Sequence, residues 1–445
     1  MKRALRLSAL IAIGAATAVA AATCDSRAGQ ENAAWAKSGP HSWLASVQHT
    51  QFVETRRKWC HIFETSGIDR VSKGIDFGST LFTGDGIHPS VGGIVPGGGF
   101  AGGLVYNLQR ASSSAPLRFS GSAEARGSYN GFWTAGAKLD IWGSANSAQD
   151  QHIHATLDVE HYSLPQMAYY GEGNLSSLAN QSLFGLVQTT AGGHIAIPLP
   201  AGLSVTGGLA GLWNSTSGVS GGSEPSIDRT FNASQTPALD APTTYVVWGG
   251  GIDWIYPVSP RMNGFSSALT TAYKWFHDTN GSPYSFSRLD AIFISRYHPA
   301  TKADLGTISV SARLVDTATS GNNRMPFYLQ PTLGGADINN VDALRSYRDY
   351  RFRAPSLLVF QAEYMRTIWG PIAALGFYDT GRVAEYRSDI GFSQFRHSLG
   401  AGFVVQVGGA PVFKFYYAWG GGEGSHTTYT MNTNNFTFSA PAGVF

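Results

Sequence analysis

Arg345 stands in the run Leu344-Arg345-Ser346-Tyr347, inside a long polar stretch between two segments of alternating polarity. A guanidinium held away from bulk water needs an anionic partner. Its planar fork fits a carboxylate through two parallel hydrogen bonds. The next two segments supply candidates. Glu363 shares a face with Gln361, while Leu358, Phe360, Ala362 and Tyr364 take the other side. Asp379 shares a face with Leu375, Phe377 and Gly381. Two carboxylates on adjacent inner faces make a receptor for Arg345. The chemistry this implies is charge pairing that pins a loop, either as a fixed anchor or as a conformational latch.

Other constellations carry less. His152 and His154 share a strand face with Asp158 and Glu160, which resembles a divalent-metal pair but fits the polar wall of a pore better, so no metal is expected. His397 and Ser398 are chain neighbours and point to opposite faces of a strand, so they cannot pair as base and nucleophile. No nucleophile elbow is present, and no enzymatic activity is expected. The runs Gly97-Gly98-Gly99 and Gly420-Gly421-Gly422 open no helix and are not phosphate loops, so no cofactor is called for. Cys24 and Cys60 form the candidate disulfide, with two unpaired thiols as the alternative.

The elements that must position Arg345 follow from composition and period. Of 445 residues only 13% are charged, about half the roughly 25% of an average chain, and the formal net charge is +2. That argues against a nucleic-acid surface. With 11 Trp, 19 Tyr and 25 Phe, the chain carries too much apolar surface for disorder. Beyond the N-terminus no apolar run approaches the ~20 residues of a spanning helix. The hydrophobicity instead alternates. Arg118, Ser120, Ser122, Glu124 and Arg126 oppose Leu117, Phe119, Ala123 and Ala125; Thr134, Lys138 and Asp140 oppose Trp133, Leu139 and Ile141. Such segments have one apolar face and one charged or hydroxyl face. A water-filled lumen tolerates the charges, and a sandwich core does not. Trp133, Tyr297, Tyr378 and Trp419 sit at segment ends on the apolar face, as interfacial girdles do. The fold class expected is all-β, a transmembrane antiparallel β-barrel. About fifteen segments can be marked, and bacterial barrels are even-numbered, so sixteen strands are expected, the extra one near Ser90–Val95 or in the 320s.

Residues 1–22 read as a signal peptide, with Lys2, Arg3 and Arg6 ahead of an apolar stretch. Residues 23–90 read as a short periplasmic or plug segment with a helical run from Trp43 to Phe63, and 91–445 as the barrel. Ser215–Thr244 and Thr317–Pro355 read as long loops, and Arg345 lies in the second.

The loop and its partners resemble the BamA/TamA superfamily, the bacterial surface-antigen barrels of the outer membrane. That family's lumenal tetrad is Val/Ile-Arg-Gly-Phe/Tyr, here Leu344-Arg345-Ser346-Tyr347, with Ser346 in place of glycine. Its facing strand carries Phe/Gly-x-Asp-x-Gly, here Phe377-Tyr378-Asp379-Thr380-Gly381. Weaker matches are Tyr169-Tyr170-Gly171-Glu172-Gly173-Asn174, Pro89 to Tyr106, and Asp253 with Pro257, Pro260, Arg261 and Gly264. The resemblance covers roughly residues 89–438 and is specific over 333–402. It implies an outer-membrane location and a lumenal loop whose Arg345 meets Glu363 and Asp379. It also implies a role in inserting or translocating polypeptides or lipids across a weak seam between first and last strands. The partners implied are outer-membrane lipids and lipopolysaccharide, unfolded outer-membrane clients and a periplasmic partner. Residues 23–90 leave no room for a series of polypeptide-transport-associated (POTRA) domains. Two further readings are a passive pore lined by Arg118, Arg126, Lys138, Asp158 and Arg313, and a surface-interaction barrel working through Ser215–Thr244.

Overall fold

The computed structural model describes residues 85–110, 117–143, 153–239, 241–256, 264–299, 305–369, 372–407, 410–423 and 425–431. Residues 1–84, with the expected signal peptide, the helical run 43–63, Cys24 and Cys60, lie outside the described residues, as do His152, residues 257–263 and 432–445.

Among the described residues, sixteen strands form one antiparallel sheet. The first six are β1 (Gly86–Gly93), β2 (Phe100–Arg110), β3 (Leu117–Ser128), β4 (Trp133–Gly143), β5 (His154–Tyr169) and β6 (Ser182–Pro198). Then come β7 (Leu203–Gly218), β8 (Thr243–Tyr256), β9 (Gly264–Asp278), β10 (Phe286–His298) and β11 (Thr307–Ala318). After a long connection come β14 (Ser356–Trp369), β15 (Ile372–Ala384), β16 (Arg396–Val407), β17 (Ala410–Trp419) and β18 (Ser425–Met431). Each pairs with its chain neighbour, and β11 pairs with β14. Within the connection, β12 (Thr332–Leu333) and β13 (Phe352–Arg353) form a separate two-stranded ribbon. Cα atoms of β1 and β18 approach within 8 Å, yet among the described residues no ladder joins them.

The sequence expectation is met in the number of strands and refined at their edges. β1 supplies the extra strand and begins at Gly86, so it includes residues 86–90. β7 runs on to Gly218, which shortens the loop expected from Ser215. The last described strand spans 425–431, and residues 432–445 lie outside the described residues.

Alternation decides which face goes where. On β5 the outward Leu157 and Val159 are 54% and 45% exposed, while the inward Thr156 is 2% exposed. Trp133, Tyr297, Tyr378 and Trp419 all face outward and are exposed. A sheet that shows its large apolar side chains and hides its hydroxyls and charges is built for lipid outside and a polar lumen inside. Inward ion pairs line the wall: Arg126 with Glu124, Lys138 with Asp140 at 3.2 Å, and Arg288 with Asp290 at 2.8 Å.

The eight connections that follow the odd-numbered strands of the chain's up-and-down course, from 94–99 to 420–424, gather at one end, called here the loop end. The opposite end, with the 199–202 connection, is the turn end. Apolar packing concentrates at the loop end. Tyr169, Phe184, Leu186, Phe327, Tyr328 and Tyr350 form one cluster. Leu212, Tyr245, Val247, Phe276, Phe286 and Met325 form a second. Leu333, Leu344, Tyr347, Phe352, Val359 and Val383 form a third. The loop between β11 and β14 contributes to all three, so it is folded inward as a cap.

Candidate functional site

The inward loop is shaped by a glycine pair. Gly334 and Gly335 have φ of +112° and +59°, a range that glycine enters without the cost other residues meet. A Cβ on Gly334 would meet the Arg348 carbonyl at 2.9 Å, and one on Gly335 the Asp349 backbone at 2.8 Å. The missing side chains let the two arms close. Gly334 N–H donates to Ala343 O at 3.1 Å, and Tyr350 N–H to Gly334 O at 3.1 Å. Asp337 Oδ1 accepts from the N–H groups of Asn339 and Val341, which makes the tip turn. Arg313 of β11 ties that turn to the wall by a 2.9 Å bond to Asp337 Oδ2.

This frame delivers Arg345 to the wall. Its Nε and Nη2 donate to Asp379 Oδ2 and Oδ1 at 3.0 and 2.8 Å, and its own backbone N–H adds a 3.1 Å bond to Oδ2. Nη1 donates to Glu363 Oε2 at 3.0 Å. The guanidinium carbon lies 3.5 Å from the Phe377 ring centroid. Gln361 Nε2 adds a 3.2 Å bond to Asp379 Oδ1 and donates to Asp342 O. Asp379 is fully buried and Arg345 is 3% exposed. Burial works against the charged guanidinium, but bonding and attraction from Asp379, and then Glu363, hold its pKa above the ordinary arginine value. Taking Arg345 away would leave a buried carboxylate without its cation, a loss of about 3–5 kcal/mol.

The structure therefore brings Arg345, Glu363, Phe377 and Asp379 together. Ser346, in the glycine position of the tetrad, is buried and its N–H donates to Ser398 Oγ at 2.8 Å, so a hydroxyl on β16 meets the backbone there. Leu344 takes φ +52° and is buried with Tyr347. Tyr347 packs edge-on to Phe352, against Gly421. Gly381 touches none of these charges. It lies opposite Val359, where a Cβ would meet the Leu358 carbonyl at 2.9 Å. His154 bonds Asp140 at 3.1 Å. His397 points outward to Tyr378 Oη at 2.7 Å, away from Ser398.

The backbone course is similar to that of solved barrels. BamA from Haemophilus ducreyi lacking POTRA domains 1–3 superposes with a TM-score of 0.51 at 12% identity, over 77% of this chain and 68% of that one. The fold is that of a BamA-like β-barrel. CdiB from Acinetobacter baumannii (TM-score 0.46, 8% identity) and CdiB from Escherichia coli (0.45, 12%) are also similar. Each is matched over 78% of this chain, which spans only 58% and 62% of their own lengths. No family profile and no curated protein sequence matches.

Within this BamA-like barrel, the Arg345 seat has a second tier that the sequence reading missed. Arg351 donates through Nε and Nη2 to Glu423 at 2.7–3.0 Å, and through Nη1 and Nη2 to Ser176 Oγ and O. Arg353 donates to Phe327 O at 2.7 Å, with the rings of Tyr169, Phe184 and Phe327 around its guanidinium. Burial among those rings pushes its pKa down to about 10. Gly173 N–H donates to Arg353 O at 2.7 Å, which puts the Tyr169–Asn174 segment against the loop. The one sequence signal for this tier is the Arg351-x-Arg353 spacing, which puts two cations on one face of an extended chain.

Proposed function

We propose that this protein sits in a bacterial outer membrane and assists the insertion or translocation of polypeptides, with unfolded barrel proteins as clients and the seam between β1 and β18 as the working edge. The observation that carries the reading is the loop folded into a barrel of BamA-like fold, with buried Arg345 seated on Asp379 and Glu363 of the wall. The working partners in this reading are the surrounding lipids and lipopolysaccharide, the client, and a periplasmic protein that delivers it. The site holds charges for docking a loop and is assigned no bond-making chemistry.

The passive-pore reading draws on the charged inner wall, and the apolar cap at the loop end counts against it. One experiment separates the two. Refolded protein in liposomes is given a urea-unfolded outer-membrane barrel, and the client's folding is timed by the heat-dependent gel shift. The expected result is faster folding than in empty liposomes, lost in a folded Arg345→Ala variant. Equal rates with folded protein overturn the proposal. Stable single-channel steps in the same liposomes would then establish the pore.

A further inference from the structure

Three histidines of the described residues face outward, and all three stand at the loop end. His161 follows Leu157 and Val159 on the outward face of β5. It stacks on Trp133 of β4 with ring centroids 4.6 Å apart, and its Nδ1 bonds Thr189 Oγ1 of β6 at 2.8 Å. His277 ends the outward face of β9, after Tyr273 and Trp275, with its ring 6.4 Å from that of Trp248 on β8. His397 opens β16, stacked on Tyr378 of β15 at 6.0 Å and bonded through Nδ1 to Tyr378 Oη at 2.7 Å. In His161 and His397 Nδ1 is engaged within the chain, which leaves Nε2 for a partner outside it.

Each histidine stands where an apolar outward stripe gives way to the loops, the level of a headgroup layer. The turn end closes the same stripes with rings alone: Trp254 stacked on Tyr256 of β8, and Phe265 of β9 against Tyr297 of β10. The girdle is therefore asymmetric, with imidazoles at one end only. An imidazole changes charge between about pH 8 and pH 5, and once charged it is attracted to a ring beneath it. Its surroundings decide what else balances that charge. His161 meets Trp133 and Thr189; His277 meets Trp248 and lies across from Val246; His397 meets Tyr378 and Thr380, with Trp419 on the β17 side. Arg382, the next outward residue on β15 beyond Thr380, adds a standing cation and donates to Gly391 O at 3.3 Å. The chain neighbours that ionise, Glu160, Tyr162, Asp278 and Arg396, face inward. Among the described residues no carboxylate bonds any of the three outward imidazoles, so the anion for them must come from outside the chain.

We infer that the loop-end girdle is a rim for anionic, phosphate-bearing lipid headgroups, with His161, His277 and His397 as three seats and Arg382 as a fixed charge beside the third. The rings lie against the upper part of the lipid and the imidazoles reach its phosphate. At pH 8 the contact is a neutral N–H bond, and on acidification it becomes charge-assisted, so the hold on anionic lipid tightens. This rests on the reading that the outward face lies in a membrane, and it adds which lipids that face prefers and at which end.

The test is the fraction of spin-labelled lipid held at the protein surface, read by electron paramagnetic resonance on the full chain in liposomes. Labelled phosphatidylglycerol probes the anionic headgroup and labelled phosphatidylcholine is the zwitterionic reference. A cation near an anionic lipid surface gains roughly fivefold in affinity at each seat. Averaged over the whole lipid shell, the preference for phosphatidylglycerol should rise by about one half from about pH 8 to about pH 5.5. The triple variant His161→Gln, His277→Gln, His397→Gln should keep the preference level across that range. Each single variant should remove about a third of the rise, since the seats are far apart, which serves if the triple variant does not fold. His194→Gln, on the lumen side, should leave the rise intact. A level preference in the parent protein, or a rise that survives all the outward substitutions, overturns the rim. The reference label keeps the two readings apart: phosphatidylcholine held with no pH-dependent preference rejects the rim alone, and no held lipid of either kind rejects the membrane reading beneath it.

Discussion

Two aspartates of the site live under opposite terms. Asp379 takes three donors from Arg345 and one from Gln361, and its charge is fully used. Asp349 lies at the glycine pair, where burial raises its pKa and the Ala336 N–H on Oδ1, at 3.0 Å, only partly opposes this. A carboxyl with a raised folded-state pKa contributes stability that is complete below its unfolded value, near 4, and lost as pH rises through the folded value. The Asp349 contribution to loop docking should therefore fall from mildly acidic toward neutral pH. Asp349→Asn keeps an oxygen for Ala336 and cannot ionise. Protease resistance of the loop, compared between parent and variant from about pH 4 to pH 8, should show the variant gaining on the parent as pH rises. A constant difference would show that Asp349 carries no such penalty. At this scale the Arg345, Glu363 and Asp379 group was legible in the sequence, because strand period 2 says which residues share a face. Arg351 with Glu423 was not. The partners are 72 residues apart and Ser176 is 175 from Arg351, in a connection with no period to read.

The strands were legible wherever polar and apolar residues alternate cleanly, as in β3, β4 and β5. β1 was harder, because Gly86, Gly92 and Gly93 lack the side chains whose alternation would mark it and Pro89 is a residue strands disfavour. The same scarcity of side chains has a structural use in β8. A Cβ on Gly249 would run into the Tyr273 carbonyl and lie 2.9 Å from Lys274 Cα, on the neighbouring β9. Those contacts are backbone, so no rotamer relieves them. Glycine here lets the wall coil tightly as it turns from β7 to β9. Gly249→Val should cut the yield of heat-modifiable barrel sharply, whereas Gly102→Ala, with open space around its Cβ, should not. Equal yields would mean that the sheet bends elsewhere to admit the side chain.

Across the whole molecule the outer face is the apolar one. Val159 is 45% exposed and pairs with Ala137, midway along the β4–β5 ladder between Trp133 and the turn end. Val159→Arg should cost about 2–4 kcal/mol in a bilayer if that level is the midplane, while Asp158→Asn, one residue away on the lumen side, should cost little. Urea unfolding in liposomes, followed by tryptophan fluorescence, measures both. Equal costs would mean that the two faces do not meet different solvents. The inward cap also sets a timetable. Asn340 and Tyr350 fasten turns that lie 246 and 254 positions earlier in the chain. At roughly 5–20 residues per second of synthesis, the residues of the first hairpin are made on the order of tens of seconds before those that secure it. Contacts of such long range also form late in folding. For that interval the first hairpin of the newborn chain is without its fastening, and any holding of it must come from outside the chain.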